Sequence, residues 1–211
     1  MAVVEREFRR ESHADPRVLR AVFSNTATAP LWLLARLYLG YQWLIAGWHK
    51  TVGDDRWIAR DGPDGLALKA MWERATAVPR DGAPAISYDW YRDFLGYLLR
   101  HQVYTWFAWV IALGETAIGI ALIIGVLTGF AALAGVFLTF NFQLMGTASV
   151  NPLLFIVALL IVFAWKVAGW IGVDRWLLPA LGAPWRSGRC VRRFRKHPVP
   201  DPGIDATLSH A

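Results

Sequence analysis

Four predominantly apolar windows of about 20 residues dominate this 211-residue chain. That is the length an α-helix needs to cross a hydrocarbon layer about 30 Å thick at about 1.5 Å per residue. The windows run from Pro30 to His49, Thr105 to Val126, Gly129 to Ala148 and Pro152 to Gly172. Composition agrees: 55% of residues are hydrophobic, 18% are charged, and there are twelve tryptophans. A soluble domain of this size carries nearer a quarter charged residues. The expected fold is therefore an all-α membrane protein, a four-transmembrane-helix bundle, with a helical extracytoplasmic loop at positions 50–104 between helices 1 and 2. The composition excludes a collagen, a disulfide scaffold and a wholly disordered chain, since Cys190 is the single cysteine.

Charge sets the orientation. Five arginines precede Ala29, and six arginines and a lysine follow Gly172, several of them in RSGRCVRRFRK. Positive residues stay on the cytoplasmic side, so both termini are expected there, in the cell membrane. The chain divides into a cytoplasmic N-terminal segment (1–28), the membrane domain (29–186) and a basic, disordered cytoplasmic tail (187–211). The first span is too long for a signal-peptide core and reads as a retained anchor. Basicity in the tail suits anionic headgroups better than nucleic acid.

The loop carries eight basic and eight acidic residues. Leu66, Ala70, Met71, Trp72, Ala75 and Val78 recur at helical intervals, and a second helix, capped by Ser87, carries Tyr88, Trp90, Tyr91, Phe94, Tyr97 and Leu98 toward span two. Between spans three and four, Asn151 is expected to cap the helix that Pro152 opens. Small-residue stripes (Gly40 and Gly47; Ala117, Ala121 and Gly125; Ala131 and Gly135) predict close helix packing.

Polar groups inside the windows mark the candidate site, because an ionisable group in hydrocarbon costs several kcal/mol. Arg36 lies about 9 Å from the cytoplasmic end and Glu115 near the midplane, so Arg36 can reach Glu115 if spans one and two are neighbours. Such a pair either fixes helix register or lines a cavity in which Arg36 holds an anion or quinone oxygen and Glu115 passes protons. Asn141 either bonds across helices or holds a carbonyl oxygen. Gln42, His49 and Lys50 stand at the outer end of span one, where they can form the mouth of a site. Lys166, with Trp165 and Trp170, reads as a snorkelling lysine. No metal, haem or flavin motif is evident in the sequence.

At these residues the sequence resembles the DoxX/DoxD membrane proteins. The matching segments are ARLYLGYQWLIAGWHK, YDWYRDFLGYLL, ALGETAIGIALIIG, FNFQLMGTASVNP and AWKVAGWIGVDRWLLP, in that order. The resemblance implies a four-helix bundle acting as a subunit of thiosulfate:quinone oxidoreductase, which forms tetrathionate and reduces a quinone. Similar actinobacterial proteins are associated with a membrane oxidoreductase complex concerned with thiol balance. The family's polar span residues fall here on Arg36, Glu115 and Asn141, with Gly47 and Lys50 closing the first span. An outer-face anion site would draw on Lys50, Arg92, Arg100 and His101. The alternatives are a non-catalytic membrane anchor that recruits soluble redox enzymes and, on the strength of buried charge near the midplane, a small transporter or lipid-handling protein; a second subunit carrying the redox centre, or a homo-oligomer, fits the first two readings.

Overall fold

The computed structural model describes residues 16–53, 56–59, 63–147 and 149–182, all of them helix, turn or irregular chain. The basic tail with Cys190, and the first half of the N-terminal segment, lie outside the described residues. A short α1 (Arg17–Phe23) and a 3-10 turn (Thr26–Thr28) lead into the long α2 (Ala29–Thr51), which Pro30 helps to open. In the loop follow α3 (Leu66–Thr76) and α4 (Asp89–Arg100). Then come α5 (Tyr104–Ile124), α6 (Thr128–Leu144), α7 (Asn151–Phe163), α8 (Trp165–Ala168) and α9 (Asp174–Leu181).

Among the described residues each of the four apolar windows is largely helical. Among the described residues one helix, α5, is long and apolar enough by length and composition to cross a membrane; α6 and α7 are shorter apolar helices. The fourth window is not one continuous helix. It breaks at Ala164 and stops at Ala168, and the chain then turns sharply where the Cβ of any residue but glycine at position 169 or 172 would collide with Asp174 or Arg36.

The antiparallel α2–α5 pair is the closest contact in the fold. A Cβ placed on Gly40 would lie 3.0 Å from the Gly119 carbonyl oxygen, and one on Gly47 would lie 2.7 Å from the Thr116 amide nitrogen. Both helices present small residues seven apart, Gly40 and Gly47 against Gly119 and Ala112, which lets the backbones touch. The expected stripe on span two is thus displaced around the helix, and Ala117 faces outward.

Two apolar cores result. The first joins α2, α5, α6, α7 and α8 around Trp32, Leu39, Trp43, Leu122, Ala132, Ala158 and Ile161. The second joins the loop helices to the adjoining ends of α5 and α6 around Leu68, Trp72, Ile86, Tyr91, Leu95, Ala108 and Met145. The outer faces of the long helices are apolar too. Leu153, Ile156, Leu160 and Phe163 on α7, and Phe130, Leu133, Phe137 and Phe140 on α6, are all exposed.

In the loop the expected helices form with altered details. Residue Tyr88, not Ser87, precedes α4, and no side chain caps it. Only Tyr91 and Leu95 are fully buried on that helix, while Tyr88, Trp90, Phe94 and Tyr97 are exposed, so α4 is amphipathic rather than aromatic toward α5 all round. Likewise Asn151 is the first residue of α7 rather than its cap, and its amide donates back to the Thr147 carbonyl oxygen at 2.8 Å.

Candidate functional site

Although α2 and α5 are neighbours, Arg36 does not meet Glu115. Lys50 is the ion-pair partner of Glu115, with Nζ 2.6 Å from Oε2. The reason is helical arithmetic. In an antiparallel pair that sets Gly47 against Thr116, Lys50, one turn beyond Gly47, falls about 3 Å along the axis from Glu115 and within a lysine side chain's reach of it, while Arg36, 14 residues or about 21 Å earlier, falls at the far end.

Lys50 is enclosed. Its ammonium lies 4.9 Å from the Trp57 ring centroid and 5.7 Å from that of Phe142, which adds cation–π attraction to the ion pair. The turn after α2 builds this enclosure, because the Trp57 amide donates to the Lys50 carbonyl oxygen at 2.9 Å and folds the indole over the side chain. Lys50 also occupies the last turn of α2, where the helix dipole favours a cation. Glu115 is fully buried, and its Oε1 has no hydrogen-bond partner among the described residues.

Phe142 belongs to both surroundings. It also lines a cavity of about 310 Å³ bounded by α3, α4, α5 and α6, with Trp72, Tyr91, Phe94, Leu95, Trp106, Phe107, Ile111, Phe137 and Asn141 among the other lining residues. That volume is at the lower edge of small-molecule sites, about 300–1,000 Å³, and the lining is nearly all apolar and aromatic. Its side-chain polar groups are concentrated in one pair: the Tyr91 hydroxyl donates to Asn141 Oδ1 at 3.2 Å, and Asn141 Nδ2 donates to the Phe137 carbonyl oxygen at 2.8 Å. One amide hydrogen of Asn141 is left for a further acceptor. Burial pushes the Tyr91 phenol up to about 12, so it is a neutral donor at physiological pH.

Arg36 sits at the opposite end in a closed arrangement. It is 1% exposed, its Nη2 donates to the Ile171 carbonyl oxygen at 2.7 Å, and its Nη1 packs against Gly125 and Gly172. Gly125 ends α5 in the left-handed conformation (φ 75°), so the guanidinium rests at the negative end of that helix's dipole. The buried Asp174 stands nearby and accepts from the Leu127 and Thr128 amides at 2.7 and 2.8 Å, capping α6 from a distance in sequence. Arg36 Nε and Nη1 have no hydrogen-bond partner among the described residues.

The structure thus brings Asn141, Lys50 and Glu115 to one end and leaves Arg36 at the other. Gln42 donates to the Tyr38 hydroxyl at 3.2 Å on the outer face of α2, and His49 is exposed; neither lines the cavity. Of the outer-face cations, Lys50 and Arg92 are held by Glu115 and Asp89, and the His101 ring lies tilted against Tyr97 with ring centroids 4.2 Å apart. Sequence reasoning did not single out Tyr91, Trp57 or Asp174 as site residues. Tyr91 alone left a signal, as the residue that shares a helical face with Leu95 and Leu98. No protein-family model matches the chain, and no curated protein or solved structure is significantly similar to it.

Proposed function

We propose that this chain is an integral membrane redox subunit that binds a quinone within its helix bundle, as the resemblance to the DoxX/DoxD proteins implies. The observation that carries the reading is the aromatic cavity with a Tyr91–Asn141 pair in its wall and the Lys50–Glu115 ion pair beside Phe142. The multi-pass arrangement is supported by the exposed apolar faces of the long helices, which no soluble monomer of this size keeps in water. With charge retained inside, the tail and N-terminal segment lie in the cytoplasm and the loop helices outside.

A bound quinone supplies a two-electron, two-proton acceptor. Toward it, Asn141 Nδ2 offers a hydrogen to a ring carbonyl oxygen, and the Tyr91 hydroxyl fixes the amide's orientation through Oδ1. The flat aromatic lining holds a ring of that kind and excludes water. Lys50 and Glu115 hold a mobile proton between Nζ and Oε2 next to the cavity. Two thiosulfates joined through a new sulfur–sulfur bond release the two electrons required, and a second subunit holding a redox centre is the other route.

The test is reduction of a soluble quinone analogue by the purified protein in detergent, with and without thiosulfate. Thiosulfate-dependent turnover that falls about tenfold or more in Asn141→Leu, with folding retained, supports the reading. Glu115→Gln then lowers kcat more than it raises KM, because the cavity wall is unchanged. Absence of both turnover and quinone-analogue binding overturns it.

A further inference from the structure

A second, larger groove lies at the Arg36 end of the bundle, where α6 begins and α7 to α9 follow. It has a volume of about 420 Å³, is lined by Leu127, Phe130, Leu133, Val162, Trp165 and Leu178 among others, and is almost wholly apolar. Asp174 and Leu178 also border a small neighbouring recess whose rim carries Lys166 and Arg175. The apolar groove and the two cations therefore adjoin each other.

Neither cation has a carboxylate at ion-pair distance among the described residues. Each is instead steadied by an indole: Lys166 Nζ is 6.0 Å from the Trp165 ring centroid, and the Arg175 guanidinium carbon is 5.5 Å from that of Trp170. The acid between them, Asp174, is already spent on the Leu127 and Thr128 amides. An apolar slot that ends at two uncommitted cations flanked by tryptophans matches an amphiphile with an acyl chain and an anionic head.

Resting on the membrane reading above, we infer that this groove is a binding site for an anionic glycerophospholipid of the cytoplasmic leaflet. An acyl chain lies along Leu133, Phe130 and Leu178, and the phosphate meets Lys166 and Arg175. The following sequence, from Arg186 to Lys196, adds five arginines and a lysine at the same end of the chain, which raises the local concentration of such lipids.

The full chain, purified in nonionic detergent and stripped of lipid, is titrated with dioleoyl phosphatidylglycerol and with dioleoyl phosphatidylcholine, and bound lipid is counted by native mass spectrometry. The expected preference for phosphatidylglycerol is about thirtyfold, from two cations near the head. Lys166→Gln with Arg175→Gln removes that preference, and Leu133→Trp, which fills the groove, lowers retention of both lipids. Neutralising the tail (Arg186→Gln, Arg189→Gln, Arg192→Gln, Arg193→Gln, Arg195→Gln and Lys196→Gln) leaves most of the preference in place. Equal binding of the two lipids overturns the proposal, as does a preference that follows the tail and ignores Lys166 and Arg175. Because Lys166 and Arg175 are not buried, circular dichroism of these variants should match the parent. A chain that stays in solution without detergent overturns the membrane reading itself, a result distinct from a detergent-requiring chain with no lipid preference.

Discussion

At one end of the α2–α5 pair Arg36 is wedged between Gly125 and Gly172 with Asp174 near it; at the other, Lys50 and Glu115 meet under Trp57 beside a cavity. Both places bury charge, but the surroundings differ. Around Arg36 the chain closes tightly, with helix ends of complementary sign and backbone groups as partners. Around Lys50 the partners are side chains, and the adjoining space is open to a ring-sized guest. Buried charge alone therefore does not mark a reactive site. The closed end is a staple that joins α2, α5, α6 and α9, and the open end is where chemistry has room.

The strongest way to break this contrast is to attack the staple. Asp174→Asn removes the negative charge near Arg36 and weakens the cap on α6, at an expected cost of about 3 kcal/mol. For a chain of this size that lowers the thermal midpoint in detergent by about 10 °C. An unchanged midpoint would show that the closed end does not depend on this carboxylate.

A smaller effect belongs to the open end. Tyr91 is 3% exposed and its phenol is raised to about 12, against an ordinary value near 10. The fold favours the protonated form, so the stability it contributes is complete below pH 10 and is lost as pH rises from 10 through 12. The loss amounts to about 2 kcal/mol across that window. Tyr91→Phe should lack this alkaline dependence, which a pH series of denaturation midpoints would reveal. Parallel curves for the two proteins would remove Tyr91 from the buried wall.

Much of this architecture was legible in the sequence, because length and hydropathy are local properties. Among the described residues the four apolar windows are largely helical, and the periodicity from Leu66 locates α3, although Val78 lies beyond its end and Leu66, Ala70 and Val78 are exposed. Pairing was not legible. Arg36 was the cation expected beside Glu115, and only the register of Gly47 on Thr116 determines that Lys50 takes it instead. Asp174 was hidden for a similar reason: its partners, the Leu127 and Thr128 amides, are 47 and 46 residues away and carry no side-chain signature. Gln42 and His49 looked like a mouth because they are near Lys50 in sequence, but the 100° step per residue turns them to other faces.

Glu115→Gln sharpens the comparison at about 1 kcal/mol, since glutamine keeps an acceptor for Lys50 Nζ while losing the charge. The same loss of charge costs about three times more at Asp174, because there the cation left behind is sealed and cannot reach water, whereas the Lys50 side chain is 15% exposed. Equal costs at the two positions, measured as thermal midpoints, would mean that both ends are staples.

The smallest effect is the most diagnostic. Arg36 and Glu115 lie on the paired helices α2 and α5 but share no partner, and the ten residues from Glu115 to Gly125, against which Arg36 packs, set about 15 Å between their positions along α5. In a double-mutant cycle of Arg36→Met and Glu115→Gln the stability changes should therefore add within about 0.5 kcal/mol. Arg36→Met alone is costly because Asp174 loses its neighbouring cation, and that cost should be the same whether position 115 is charged or not. A coupling above about 1 kcal/mol would instead require one continuous charged network along the α2–α5 interface. It would merge the two ends into a single site, and Arg36 would then have to be counted with Lys50 and Glu115 in any proton or electron transfer.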